Sequence, residues 1–289
     1  PRGFITDRRA GRISTEKCIE LCQELSNKIS IPGVEIHIKP EKEHRAAVIF
    51  RGAGLSAGLS DSDPQHTGVP PLDVKALDAT NEAAKSTAAM INEFIRKAKE
   101  VLAPHSPANM ILLRGFDQYQ KIPTMPELYH LQCAAIATYP MYKGVARLVG
   151  MDVIEGASNL EDQIALLEKS WSDYTFFYFH VKYMDSRGED GDFDGRIKVA
   201  EEFDAALPRI RALKPDVLII TGDHSTPAKM KAHSFHPVPV CLCADLARKD
   251  DVNKFSEKAF LYGALGRIRG TDIIPLALAH AGKLVKYGA

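Results

Sequence analysis

Asp223 and His224 stand side by side just after the apolar run Val217–Ile220, and two more imidazoles, His233 and His236, follow in "AHSFHPVP". An acid and an imidazole at the end of a buried strand can project into a cleft. Their oxygen and nitrogen donors suit Zn, Mn or a similar divalent ion. Neighbours on an extended chain point opposite ways, so the pair must curl around the loop or serve different roles. Gly222 permits a tight approach. The same "GDHSTP" also reads as a helix N-cap, since Asp223, Ser225 and Thr226 are good caps and Pro227 suits a first helical turn. His236 precedes a proline and is biased to extended backbone, so it need not face the same way as His233.

A second cluster, "HVKYMDSRGEDGDFDGR" from His180 to Arg196, follows another apolar strand and holds Asp185, Glu189, Asp190, Asp192 and Asp194. Such carboxylate density suits a divalent cation, although the spacing is not that of an EF-hand loop. A solvated acidic loop capping the next helix is the plainer alternative. His180 and Lys182 share a strand face, and Lys182 can meet a phosphate as a point charge. The third cluster is basic: "TDRRAGR" from Thr6 to Arg12, His44 and Arg45, Arg51, and Arg114. Guanidinium forks bind phosphate and carboxylate bidentately. Singly these arginines read as surface charges; together they read as an anion pocket, with Asp7 orienting Arg8 and Arg9 or hydrogen-bonding a substrate hydroxyl.

The elements that must position these groups fall into two parts. In the first, Ser14 or Thr15 caps a helix running to about Leu25, "VEIHIK" alternates as a half-buried strand, and "HRAAVIFRG" pairs with it as a hairpin. A long Gly/Ser/Asp/Pro loop, Gly54 to Pro71, leads to a helix over Asp78 to Leu102, and "ANMILLRG" reads as a strand. In the second, helices are expected over Glu127 to Ala137 and Tyr142 to Leu148, with a break at Pro140, and over Leu160 to Lys169 and Arg196 to Leu213. "YTFFYFHVK", "DVLIITGDH" and "PVPVCLC" read as strands. Apolar strands between helices imply a parallel sheet covered on both faces, and ligands of such sheets sit beyond the strands' carboxyl ends. The composition break lies near Gln118 to Pro126.

With 289 residues, 45% hydrophobic and 26% charged, the chain has the make-up of a soluble globular protein. Thirty-seven basic residues balance thirty-seven acidic ones, which argues against nucleic-acid and anionic-membrane partners. No apolar run approaches membrane-spanning length. Five scattered cysteines fit reduced thiols in a cytoplasmic protein, the two close pairs reading as buried small apolar residues rather than metal ligands.

"DRRAGR", "HRAAVIFRG", "SDSDP", "ANMILLRG", "KGVARLVGMD", "HVKYMD…GDF" and "TGDHSTP…HSFHPVPV" together resemble, in the same order, the archaeal-type cofactor-independent (2,3-bisphosphoglycerate-independent) phosphoglycerate mutases of the alkaline phosphatase superfamily. The resemblance covers nearly the whole chain. It implies an α/β fold: an alkaline-phosphatase-like, mostly parallel sheet flanked by helices, with an inserted α+β domain. Residues 1–122 would be the substrate-clamping insert and 123–289 the C-terminal part of the metal-binding domain.

The activity implied is interconversion of 3-phosphoglycerate and 2-phosphoglycerate through a phosphoserine, in glycolysis and gluconeogenesis, with two divalent metal ions (Mn, Mg, Zn or Co). A phosphatase or other phosphomutase on this scaffold, or a catalytically incomplete phospho-ligand-binding relative, stays open, as does a homo-oligomer. By the resemblance, Asp223 and His224 ligate the metal nearest the serine, Asp185 and His233 the other, and Lys182 lies beside the transferring phosphoryl. Asp7, Arg8, Arg45, Arg51 and Arg114 clamp the glycerate. Two departures stand out. Where the family reads Asp-x-x-x-His, this chain has Asp185 and Glu189, and a carboxylate ligand there favours Mg or Mn over Zn. The family's nucleophilic serine lies upstream of "DRRAGR", and Ser56, Ser60 and Ser62 are in the wrong place to replace it. The expectation is that these residues are part of a longer polypeptide and do not turn over substrate alone.

Overall fold

The computed structural model describes residues 3–284, and they divide into two compact units, one up to Lys121 and one from Ile122 onward. In the first, helix α1 (Thr15–Lys28) is capped by the Ser14 hydroxyl, which accepts the Lys17 N–H. Cys18, Leu21, Cys22 and Leu25 recur at three- and four-residue spacing and are buried. That stripe packs against the antiparallel hairpin β1 (Glu35–Pro40) and β2 (Ala46–Arg51). Helix α2 (Glu82–Leu102) closes the core with Ala84, Ile91, Phe94, Ala98 and Leu102. It begins four residues later than the apolar spacing suggested, because Asn81 takes the cap by accepting the Ala84 N–H. Phe50 of β2 meets Phe94 edge-on at 5.1 Å.

The segment Ala108–Gly115, expected as a strand, forms no ladder among the described residues. Leu113 instead pairs with one loop residue: its carbonyl accepts the Ser62 N–H at 2.8 Å, and its N–H donates to Ser62 Oγ at 2.7 Å. A serine hydroxyl standing in for a strand's carbonyl leaves no signal in hydrophobic periodicity.

In the second unit, α3 (Met125–Tyr129) is followed by β3 (Cys133–Ala137), α4 (Pro140–Leu148), β4 (Asp152–Val153), α5 (Leu160–Ser170), β5 (Phe176–His180), α6 (Tyr183–Asp190), α7 (Phe193–Ala212), β6 (Val217–Thr221) and β7 (Val240–Ala244). Strands β4, β3 and β5 form a parallel sheet in that order, and β6 pairs with β7 as a separate antiparallel ribbon. The helix expected over Glu127–Ala137 is corrected. His130 adopts φ 53° and stops α3, and "CAAIA" becomes the central, wholly buried strand. A short apolar run carries no period that separates strand from helix; burial between β4 and β5 decides it. Pro140 starts α4 rather than breaking it, at a position whose N–H no helix needs. Ile136, Ile164, Leu167 and Ile210 form the main core of this unit. No described helix is long and apolar enough to cross a membrane.

Candidate metal centre and anion-binding arginines

β5 delivers His180 at its carboxyl end, and the chain then winds into α6, where Asp185 and Glu189 stand one turn apart. The acidic stretch is therefore a helix rather than a loop, with Asp192 capping α7 through the Gly195 N–H. β6 ends at Thr221, and no helix follows "GDHSTP", which removes the N-cap reading of Asp223. Ser225 and Ser234 instead form an antiparallel bridge, the Ser234 N–H donating to the Ser225 carbonyl at 2.8 Å. That bridge folds the chain back and sets His233 against His224, ring centroids 3.9 Å apart.

The predicted metal residues come together. One donor atom each from Asp185, His224 and His233 lie within 4.8 Å of one another. Two acid–imidazole contacts are shorter: Asp223 Oδ2 to His224 Nε2 and Asp185 Oδ1 to His233 Nε2, both 3.4 Å. Glu189 Oε1 lies 3.8 Å from His233 Nε2. Donors about 2.0–2.2 Å from one tetrahedral cation stand roughly 3.4 Å apart, so these spacings fit ions with oxygen and nitrogen ligands. His236 hydrogen-bonds Ser234 Oγ and stacks on Phe235 instead of joining the group.

Thr226, 2% exposed, orders the cluster. Its Oγ1 donates to Asp185 Oδ1 at 2.7 Å and lies 3.0 Å from His224 Nδ1. A hydroxyl has one hydrogen, and here it goes to the carboxylate. The oxygen must then accept from His224 Nδ1–H, which leaves the Nε2 lone pair free on the side of Asp223. Burial pushes the Asp185 carboxyl up, but hydrogen bonds from Lys182 and Thr226 outweigh it and the net shift is down. Asp223 follows the same pattern: burial raises it, and the Tyr142 hydroxyl, donating at 2.6 Å, leads the contacts that bring it below its ordinary value. Lys182 is engaged by Asp185 and lies over the Tyr139 ring.

Sequence reading gave no role to Tyr142 or Gly188, and to Thr226 only that of a helix cap. A Cβ on Gly188 would sit 2.4 Å from the Thr226 carbonyl oxygen, so α6 lies flush against the 223–226 loop. The ring of Tyr142 stacks on His180 at 3.7 Å. Burial holds the His180 imidazole neutral, its pKa pushed down to about 4, and its Nδ1 is buried without a hydrogen-bond partner.

In the first unit, Arg8 forks onto Asp63 through Nε at 2.8 Å and Nη2 at 2.5 Å. The Asp63 carboxyl is held below its ordinary value, chiefly by Arg8, with Arg114 adding to it. Asp7 turns both oxygens to the backbone, accepting the Arg9 and Gly11 N–H groups at 2.7 Å, and so shapes the "DRRAGR" turn. Arg45 neighbours His44, whose pKa falls through burial and then through Arg45, Arg9 and Arg12. Arg45 and Arg51 stand at opposite ends of β2, about 20 Å apart along a strand rising roughly 3.3 Å per residue, so the five expected clamp residues do not form one tight cluster. Ser62 is fully buried, and Ser60 Oγ accepts the Lys75 N–H.

A metalloenzyme superfamily profile matches residues 50–280. A "probable 2,3-bisphosphoglycerate-independent phosphoglycerate mutase" of Thermus thermophilus is 50% identical over 100% of this chain and 71% of its own length. One of the same description from Thermotoga neapolitana is 50% identical over 99% of this chain and 71% of its own length. The solved cofactor-independent phosphoglycerate mutase of Thermoplasma acidophilum superposes with a TM-score of 0.68 at 26% identity, covering 98% of this chain and 74% of that one. Matches of this extent, over a chain that assembles acid–imidazole pairs at strand ends, place it in the metalloenzyme superfamily and, within that, in the 2,3-bisphosphoglycerate-independent phosphoglycerate mutases.

Proposed function

We propose that the chain supplies the metal-holding and anion-binding side chains of an enzyme that interconverts 3-phosphoglycerate and 2-phosphoglycerate, in the cytoplasm, as part of glycolysis and gluconeogenesis. The observation that carries this reading is the pair of 3.4 Å acid–imidazole contacts flanking Thr226. Asp223 with His224 would hold one divalent cation, and Asp185 with His233 and Glu189 a second. The donor set is oxygen and nitrogen without thiolate, which suits Mn, Mg, Zn or Co, and the second carboxylate at Glu189 favours the harder ions. Bound cations would screen the phosphoryl oxygens and lower the pKa of a phosphoryl-accepting serine.

The chain's own residues have separable tasks. Thr226 fixes the tautomer and tilt of His224. Tyr142 holds one oxygen of Asp223. Lys182 is a compact positive charge, neutralised by Asp185 until an anion arrives, and suits an equatorial phosphoryl oxygen. Arg8 and Arg114 would hold the anionic ends of the glycerate, keeping it bound between the two half-reactions so that water does not intercept the phosphoryl group. The serine belongs to the family pattern upstream of Asp7, in line with the buried and engaged states of Ser62 and Ser60.

The test is calorimetric titration with MnCl₂. Wild-type chain should show two binding events, Asp185→Asn should lose one and Asp223→Asn the other. Absent binding, or variants that bind like wild type, would overturn the assignment.

A further inference from the structure

Arg8 is gripped by one edge only. Asp63 takes Nε and Nη2, which uses two of the five guanidinium N–H donors and leaves three, two of them forming the Nη1–Nη2 fork. The Asp63 side chain is 6% exposed and that of Arg8 is 29% exposed, so the acid is buried while the guanidinium keeps partial access to solvent. A side-on acid thus presents an end-on fork, the geometry that takes a carboxylate or phosphate bidentately.

Asp63 is itself fixed from behind. Its Oδ1 also accepts the Gln65 N–H at 2.9 Å. Ser62 is fully buried and bound to Leu113 through both backbone and side chain, and Asp61 Oδ1 accepts the Gly115 N–H at 2.8 Å. These contacts bracket Arg114 on both sides. The tripeptide Asp61–Ser62–Asp63 therefore reaches Arg8 through a side-chain fork and Arg114 through the neighbouring backbone. We infer that Asp63 is a positioning residue for the anionic substrate, locking Arg8 side-on so that its remaining fork and Arg114 meet the same ligand. The inference rests on the phosphoglycerate reading above. A pre-oriented guanidinium loses less freedom on binding than a free one.

The experiment combines calorimetry with 3-phosphoglycerate and NMR of the Arg8 Nε–H in the 289-residue chain, for wild type, Asp63→Asn, Arg8→Ala and the double variant. Asp63→Asn should weaken binding roughly 2- to 10-fold and expose the Arg8 Nε–H to fast exchange. The double variant should bind no worse than Arg8→Ala alone, because Asp63 acts only through Arg8. A double variant that loses the full further factor, or an unchanged Nε–H signal in Asp63→Asn, would overturn the inference. Should Asp63→Asn fail to fold, Arg8→Lys keeps the charge and the ion pair but removes the fork. It should show the same affinity loss at unchanged melting temperature, and wild-type affinity there also overturns the inference. Wild-type chain that ignores 3-phosphoglycerate while Arg8 Nε–H is protected sinks the substrate reading and leaves the lock standing.

Discussion

The destination of one hydroxyl hydrogen, from Thr226 to Asp185, sets which nitrogen of His224 can bind a metal. Thr226→Val keeps the shape and removes the hydroxyl. Loss of such an outer partner costs about 10- to 100-fold in metal affinity, and Mn titration should read that loss while circular dichroism stays unchanged. Glu189→His tests the neighbouring departure from the family pattern. With Glu189 Oε1 3.8 Å from His233 Nε2, an imidazole there should move preference from Mg toward Mn or Zn, and unchanged metal selectivity would show that Glu189 is no ligand. Asp63 carries a pH prediction. Its folded carboxyl lies below the ordinary 3.8, so it contributes stability at neutral pH that is lost as pH falls below about 4 through the folded value. Urea melts of wild type and Asp63→Asn should therefore differ near neutral pH and converge in acid, below the ordinary carboxylate range. Acids and imidazoles past strand ends were legible in the sequence because their donor chemistry declares itself. Thr226, Tyr142 and Gly188 were not, because their roles arise only when distant segments meet.

Among the elements, α6 contributes two of the five candidate ligands, and its position depends on Gly188 lying against the Thr226 carbonyl. In Gly188→Ala, a methyl 2.4 Å from a backbone oxygen has no flexible neighbour to displace, so helix and loop must separate. Overpacking of this sort costs about 1–3 kcal/mol. The metal affinity of the pair joining Asp185 to His233 should fall with it, which separates this variant from a merely destabilised one such as Leu167→Ala. The helices α1, α2, α5 and α7 were legible from their apolar spacing, although the caps Asn81 and Asp192 set the starts of α2 and α7 a few residues from where that spacing put them. The strand β3 was misread as helix because alanines carry helical propensity and only the flanking strands reveal that "CAAIA" is buried on both faces. The antiparallel β6–β7 pairing was equally invisible, since strand direction is a property of the pair.

At the scale of the whole chain, apolar burial is divided between separate clusters. One joins Cys18 to Ala108 through α1, β1 and α2, and others centre on Ile136 and Cys133. Between them, residues 117–123 are exposed and without regular structure, and Lys121 lies at the seam of the two units. Proteases cut where backbone is exposed and unpaired, and linkers between domains commonly have those properties. The composition break at Gln118 to Pro126 raised the same boundary, which needs a physical test of its own. Limited trypsin digestion should cleave first at Lys121, giving a fragment ending there that resists further digestion, because Lys85 and Lys97 are held within α2. Early cleavage inside α2, detected by mass spectrometry of the first fragments, would mean that the first unit's core does not close on its own. The boundary at Lys121 would then mark a thin place in one cooperative structure rather than a junction between two.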